Sequence, residues 1–274
     1  MKVYISSDIE GVGCVVRAEH SSVAGRDYGQ SRHFMTDEVN AAIRAAFDSG
    51  AEQVLVSDSH NVGLNLLPEE LDERAELIMG SPRPLSMMEG VDQGFDAVMF
   101  IGYHAKPGTA NGLIAHNFHS RIRDMRLNGV SMGELGINAA LAGFYNAPVV
   151  LISGDEATCK EARDLLPFAE TVAVKRGIGA YAAQCLHPAV CRQKIYDAGL
   201  TALKQLQNKK PFRLPSGIEL ELELTTASTA DRLERVPGLT RVGPLTMRTG
   251  PISLPEVYGV FLTAADIVEM VSHI

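Results

Sequence analysis

Five short apolar runs restrict this chain most. They lie at residues 3–6, 53–57, 97–102, 148–153 and 171–174, with stretches of helical spacing between them. Runs this short, rich in Val and Ile and lacking polar alternation, fit strands covered on both faces. Strands that alternate with helices pair in parallel through crossovers. The expected fold class is α/β, with a mixed, largely parallel central sheet flanked by helices. Residues 36–49 carry Val39, Ala42, Ile43, Ala46 and Phe47 at helical spacing, with Thr36 as N-cap and Gly50 just past the end. Residues 132–145 and 156–166 read as two further helices. The pair His187-Pro188 opens another that runs to about Gln207. Residues 11–32, rich in Gly and Ser without periodicity, read as a long loop over the strand ends.

The pattern changes after a Lys- and Pro-containing linker at 208–217. Residues 218–224 alternate Ile-Glu-Leu-Glu-Leu-Glu-Leu, as a strand with one wet face does. A helix at 228–235, a strand at 244–249 and a closing helix at 254–271 complete a smaller α+β subdomain. The expected division is a catalytic domain over 1–207 and a small subdomain over 208–274, packed on the first and involved in oligomerisation.

Chemistry gathers at one place in this pattern. Asp8 and Glu10 follow the first strand, His60 the second and His104 the third. In open α/β sheets ligands bind beyond the carboxyl ends of the strands, so these side chains converge on one edge. Asp8 and Glu10, two apart, point the same way in extended chain. Glu134 opens the helix at 132–145, where the helix dipole favours a carboxylate. Two imidazoles and three carboxylates form a mixed N/O shell that suits zinc, with manganese or cobalt as substitutes, better than calcium or magnesium. Five ligands exceed what one catalytic zinc takes and fit two metals that share a carboxylate. Such a pair can polarise a carbonyl and activate a water near neutral pH. His116 and His119 follow closely, and a third imidazole there suits a general acid or an oxyanion stabiliser.

Neighbouring polar residues have plainer readings. Asp58 is a candidate ligand whose plainer role is to orient His60 or cap a helix, and Asp155 caps the helix after it. Cys185, His187 and Cys191 mark a helix start rather than a metal site. Glu219, Glu221 and Glu223 form a solvated strand face or part of a subunit contact. The net charge of −8 argues against nucleic acid or an anionic membrane as partner. No run is long enough to span a bilayer, and residues 1–11 lack the apolar core of a signal peptide. Four scattered Cys suggest no disulfide framework, and the expected location is the cytoplasm.

With these segments in order, the chain resembles the D-aminopeptidases, self-compartmentalising dinuclear-zinc metallopeptidases of the dipeptide-transport operon type. The resemblance rests on Asp8-Ile9-Glu10-Gly11, Asp58-Ser59-His60, Gly102-Tyr103-His104-Ala105 and Gly133-Glu134-Leu135-Gly136 with Asn138. It implies two zinc ions per subunit, held by Asp8, Glu10, His60, His104 and Glu134 with Asp8 bridging, and a catalytic His116. His119 is the other candidate in that segment. It implies release of N-terminal D-amino acids, chiefly D-Ala, from short peptides or amides by metal-activated water, in a homodecamer of two pentameric rings. Two competing readings remain: an amidase or phosphoesterase on the same centre, for which Lys106, Arg121 and Arg123 would be the anion-binding candidates, and a non-enzymatic metal-binding scaffold.

Overall fold

A computed structural model describes residues 1–271. In chain order its strands are β1 Lys2–Ser7, β2 Gln53–Asp58, β3 Glu76–Ile78, β4 Ala97–Tyr103, β5 Ile122–Leu127, β6 Val130–Met132, β7 Val149–Asp155, β8 Glu170–Gly179, β9 Ala182–Cys185, β10 Leu220–Leu224, β11 Leu239–Gly243 and β12 Thr246–Thr249. Its α-helices are α1 Ala18–Ser21, α2 Tyr28–Asp48, α3 Glu134–Phe144, α4 Glu156–Leu165, α5 Pro188–Lys204, α6 Ala227–Leu233 and α7 Leu254–Val271. Seven strands form one sheet in the order β3-β2-β1-β4-β7-β8-β9. Every pair in it is parallel except the edge pair β8–β9.

The unbroken apolar character of the central strands follows from their two covered faces. Val3, Ile5, Val54, Val56, Met99 and Ile101 pack with Met35, Val39 and Ile43 of α2 and Ile195 of α5. Tyr4, Leu55, Val98 and Phe100 turn the other way, into a core shared with Leu135 of α3 and Tyr258 and Phe261 of α7. Neither face meets water, so no polar alternation survives in the sequence.

The remaining strands form a second, antiparallel sheet in the order β11-β12-β10-β5-β6. Leu220, Leu222 and Leu224 enter the core. Glu221 and Glu223 face outward and pair across the strands, Glu221 with Arg126 and Arg248, Glu223 with Arg126. The hairpin β5–β6 turns at Asn128 and Gly129, whose φ values of +50° and +79° suit a tight hairpin turn.

Several boundaries differ from the sequence reading. Helix α2 starts at Tyr28, inside the segment read as loop, and α1 occupies another part of it. Thr36 is therefore not an N-cap; its hydroxyl donates to the Arg32 carbonyl within the helix. Asp155 and His187 do cap α4 and α5, accepting from the Thr158 and Ala189 amides. Among the described residues no helix is long and apolar enough to cross a membrane.

Strands β2, β1 and β4 are neighbours, so their carboxyl ends open on one edge. Two glycines let the chain leaving β1 lie against the end of β4. The Gly11 amide donates to the Gly102 carbonyl at 2.7 Å, and the Asp8 amide donates to Ile101 at 2.8 Å. A Cβ on Gly11 would run into the Tyr103 carbonyl, and one on Gly102, which has φ +73°, would run into that of Asp8. Gly11→Ala is expected to lower stability by about 1–3 kcal/mol, as overpacking against fixed backbone does. Urea unfolding checks this, and an unchanged midpoint would refute the close-approach argument.

Candidate metal centre

The five residues proposed as ligands meet beyond that sheet edge, at the start of α3. His60 Nδ1 lies 3.2 Å from Asp8 Oδ1 and 3.0 Å from Glu10 Oε2. His104 Nε2 lies 3.5 Å from Asp8 Oδ2 and 3.4 Å from Glu134 Oε1. Asp8 thus stands between two half-sites, one oxygen toward His60 and the other toward His104. Glu134 is the first residue of α3. His116 stacks on His104, with ring centroids 4.2 Å apart, and its Nε2 lies 3.9 Å from Glu134 Oε1.

Backbone carbonyls fix which imidazole nitrogen faces the centre. His60 Nε2 lies 2.9 Å from the Ser21 carbonyl, His104 Nδ1 3.0 Å from Ala105 and His116 Nδ1 2.7 Å from Ile114. A carbonyl only accepts, so those nitrogens carry the hydrogens. The opposite nitrogens, turned to the carboxylates, are then available as ligands, the arrangement expected around bound metal. Among the described residues Asp8 Oδ2, Glu10 Oε2 and His104 Nε2 are buried without a hydrogen-bond partner. Glu10 Oε2 has only the ion-pair approach of His60 Nδ1, at 3.0 Å. Buried unpaired polar atoms are unfavourable, and three of them on one mixed N/O set fit a cation such as zinc.

Electrostatics carry the same mark. Burial, with the charge of Glu10, pushes Asp8 up to about 7. Burial also opposes charge on Glu10 and Glu134, yet His60 and His104 outweigh it and hold both below the usual carboxylate range. Burial opposes charge on His104 too, but Glu134 and then Asp8 raise it to about 10. His60 is likewise lifted well above its ordinary value, chiefly by Glu10. His116 behaves differently: burial and the charge of His104 lower it. Without metal, the carboxylates favour protons on His60 and His104, which offset most of the cluster's negative charge, and the raised Asp8 carboxyl reduces what remains.

Two residues that the sequence reading missed hold the Glu10 loop. Lys175, 2% exposed, donates from Nζ to the carbonyls of Glu10 at 2.5 Å, Val12 at 2.8 Å and Val15. Glu38, buried in α2, accepts the Gly13 amide at 2.9 Å. Lys175 follows the run 171–174 at the same sheet edge, a placement that was its available signal. Asp58 caps no helix. Its carboxylate accepts the amides of Asn65 and Leu66 and the Asn65 side chain, which in turn donates to the His60 carbonyl.

The centre opens into a cavity of about 360 Å³, lined by Asp8, His60, His116, His119, Glu134 and, from α7, Leu262, Ala265, Asp266 and Glu269, among others. No Lys or Arg lines it among the described residues. Of the three candidates for anion binding, Lys106 donates to Ser131 and Arg123 pairs with Glu223. Arg121 is also absent from the lining. A phosphoesterase reading therefore lacks its cation. His119 lies in the wall, but its Nδ1 accepts the Arg121 amide, whereas His116 lies against His104 and Glu134.

A family model described as D-aminopeptidase matches residues 1–263. The chain is 35% identical over 268 residues to a D-aminopeptidase of Bacillus subtilis (strain 168), covering 97% of each. It also resembles a solved structure, the Zn-dependent D-aminopeptidase DppA from Bacillus subtilis, described as a self-compartmentalizing protease. That match has 35% identity, covers 97% of both chains and has a TM-score of 0.95.

Two outcomes follow from the cluster. Below their raised values His60 and His104 carry protons that a metal must displace, so zinc affinity should fall as pH falls. Near pH 7.5 binding should release about two protons per chain. Calorimetry in buffers of different ionisation enthalpy reads the number, and no release would show that the imidazoles are not held protonated. Lys175→Met should strand three carbonyls and destabilise the chain by about 2–4 kcal/mol. It should also weaken zinc retention against a chelator, and unchanged retention would remove Lys175 from the support of the centre.

Proposed function

This chain belongs to the D-aminopeptidase family and is a hydrolase of the aminopeptidase class, and we propose that it releases N-terminal D-amino acids, chiefly D-Ala, from short peptides or amides with two zinc ions per subunit. The observation that carries the two-metal reading is Asp8, whose two oxygens face His60 and His104 separately. Glu10 and His60 would complete one half-site, and His104 and Glu134 the other. Bound there, zinc would supply a Lewis acid for the scissile carbonyl and a water acidic enough to attack near neutral pH.

The chain's own groups do the rest. His60 and His104 are held by backbone carbonyls with one nitrogen turned inward, so little reorganisation accompanies binding. His116 has its Nδ1 hydrogen committed to Ile114, which leaves Nε2 to handle protons at the centre. Held neutral at rest, Nε2 would take up the proton released by the attacking water, and once protonated it would support the oxyanion as donor and pass that proton to the departing amine. Water adds across the amide bond, and a free amino acid and a shortened peptide or amine leave. An enclosed assembly, which we take to be a homodecamer of two pentameric rings in the cytoplasm, would admit only short flexible chains. The 208–274 subdomain would contribute to its contacts. This extends to the chain what is said of the DppA structure, that it is self-compartmentalizing.

The decisive measurement is hydrolysis of D-Ala-D-Ala against L-Ala-L-Ala by zinc-loaded and metal-stripped protein. Zinc-dependent cleavage of the D peptide alone is expected, and cleavage of the L peptide alone would overturn the stereochemical part. His116→Ala should lower kcat by about 10²–10⁴-fold while zinc content stays at its wild-type value. Retention of full activity would transfer the role to another residue, His119 first.

A further inference from the structure

The wall opposite the metal ligands comes from one stripe of α7. Leu262, Ala265, Asp266 and Glu269 line the cavity and stand at helical spacings of three and four, so they share a face. The helix carries few charges: Glu256, which accepts from Ser253 at its start, then Asp266 and Glu269. All five of Gly259, Thr263, Asp266, Glu269 and Met270 are exposed, and of these only the two carboxylates line the cavity. Asp266 makes no hydrogen bond or ion pair among the described residues. The same cavity holds Asp8, whose buried Oδ2 lacks a partner, so the acidic wall faces a site already built to receive a ligand.

Charge decides what this wall can receive. Two zinc ions would take up the carboxylates of Asp8, Glu10 and Glu134, so a loaded floor would leave an ammonium group no free anionic partner there. The wall is negative, and no Lys or Arg lines the cavity among the described residues. Partial burial and the neighbouring Glu269 hold the Asp266 carboxyl above its usual value, a condition that an incoming cation relieves.

Building on the aminopeptidase reading above, we propose that Asp266 receives the substrate's α-ammonium group while Leu262 and Ala265 seat its small apolar side chain. Asp266 is then the residue that makes the enzyme select a free N-terminus. The ammonium is anchored at the α7 wall and the carbonyl carbon, two bonds from that nitrogen, is directed toward the centre, which fixes the scissile bond at the first residue. A substrate lacking that charge keeps the apolar contact and loses the anchor.

The test compares wild type, Asp266→Asn and Asp266→Glu, all zinc-loaded, on D-alanine p-nitroanilide. The α-hydroxy analogue, (R)-lactic acid p-nitroanilide, is read as a competitive inhibitor and so needs no turnover. Asp266→Asn should raise KM for the amine substrate about tenfold with kcat within about twofold, as loss of a charge-assisted hydrogen bond does. The inhibition constant of the hydroxy analogue should stay unchanged, and Asp266→Glu should recover most of the loss. An unchanged KM, or an equal change for both compounds, overturns the proposal while the aminopeptidase reading stands. Wild-type protein with zinc bound that hydrolyses neither this anilide nor D-Ala-D-Ala overturns that reading and this inference with it.

Discussion

Asp8, Glu10 and Glu134 bring three carboxylates together where almost no water reaches them, at 2%, 4% and 5% exposure. Like charges at that separation cannot all persist unless something positive lies among them. The rest of the centre answers this demand. Without metal, His60 and His104 hold protons and serve as the cations, which is why both are raised against the pull of burial. The same imidazoles are tied by their outer nitrogens to Ser21 and Ala105, so loss of the inner proton leaves a ligand already aimed. On the two-metal reading proposed above, proton and metal compete for one position.

Such a cluster needs a rigid rim. Backbone does most of that work. The β1 and β4 ends lie too close for a side chain at Gly11 or Gly102, which ties the Asp8 and Glu10 segment to the strand that ends in His104. Lys175 gathers three carbonyls of the following loop, and Glu38 takes one of its amides. Both are buried charged residues on elements distant in sequence, one on β8 and one on α2. The catalytic edge therefore depends on the whole width of the parallel sheet and on one of the helices that cover it.

The legible part of this design was the part written in hydrophobic period. Strands β1, β2 and β4 are buried on both faces and stand out as apolar runs, so the residues following them could be assigned to one edge. Helix α7 was also visible, from its apolar spacing. Three things were not. The start of α2 was hidden because Tyr28–Arg32 is mostly polar and only its packed face, with Ser31 and Met35, holds it helical. The β5–β6 hairpin alternates polar and apolar residues and offers no apolar run, so Asn128-Gly129 is its one strong signal. Lys175 and Glu38 were invisible in function, since a charge gains its meaning from carbonyls and amides that only tertiary folding brings near.

A site of this kind has to distinguish substrates as well as transform them, and the two tasks make opposite demands on charge. Attack on a carbonyl is helped by concentrated positive charge at the floor. Capture of a chain end that is itself positive is hindered by it. Separating the tasks in space resolves the conflict. The sheet edge supplies the floor, and α7, from the far end of the chain, supplies an acidic wall across the cavity. Packing of α7 is fixed by the same core that buries β10, through Tyr258 and Phe261, with Phe261 edge-on to Phe118 beside the centre. The antiparallel sheet thereby helps to hold α7 in place across the cavity from the sheet edge.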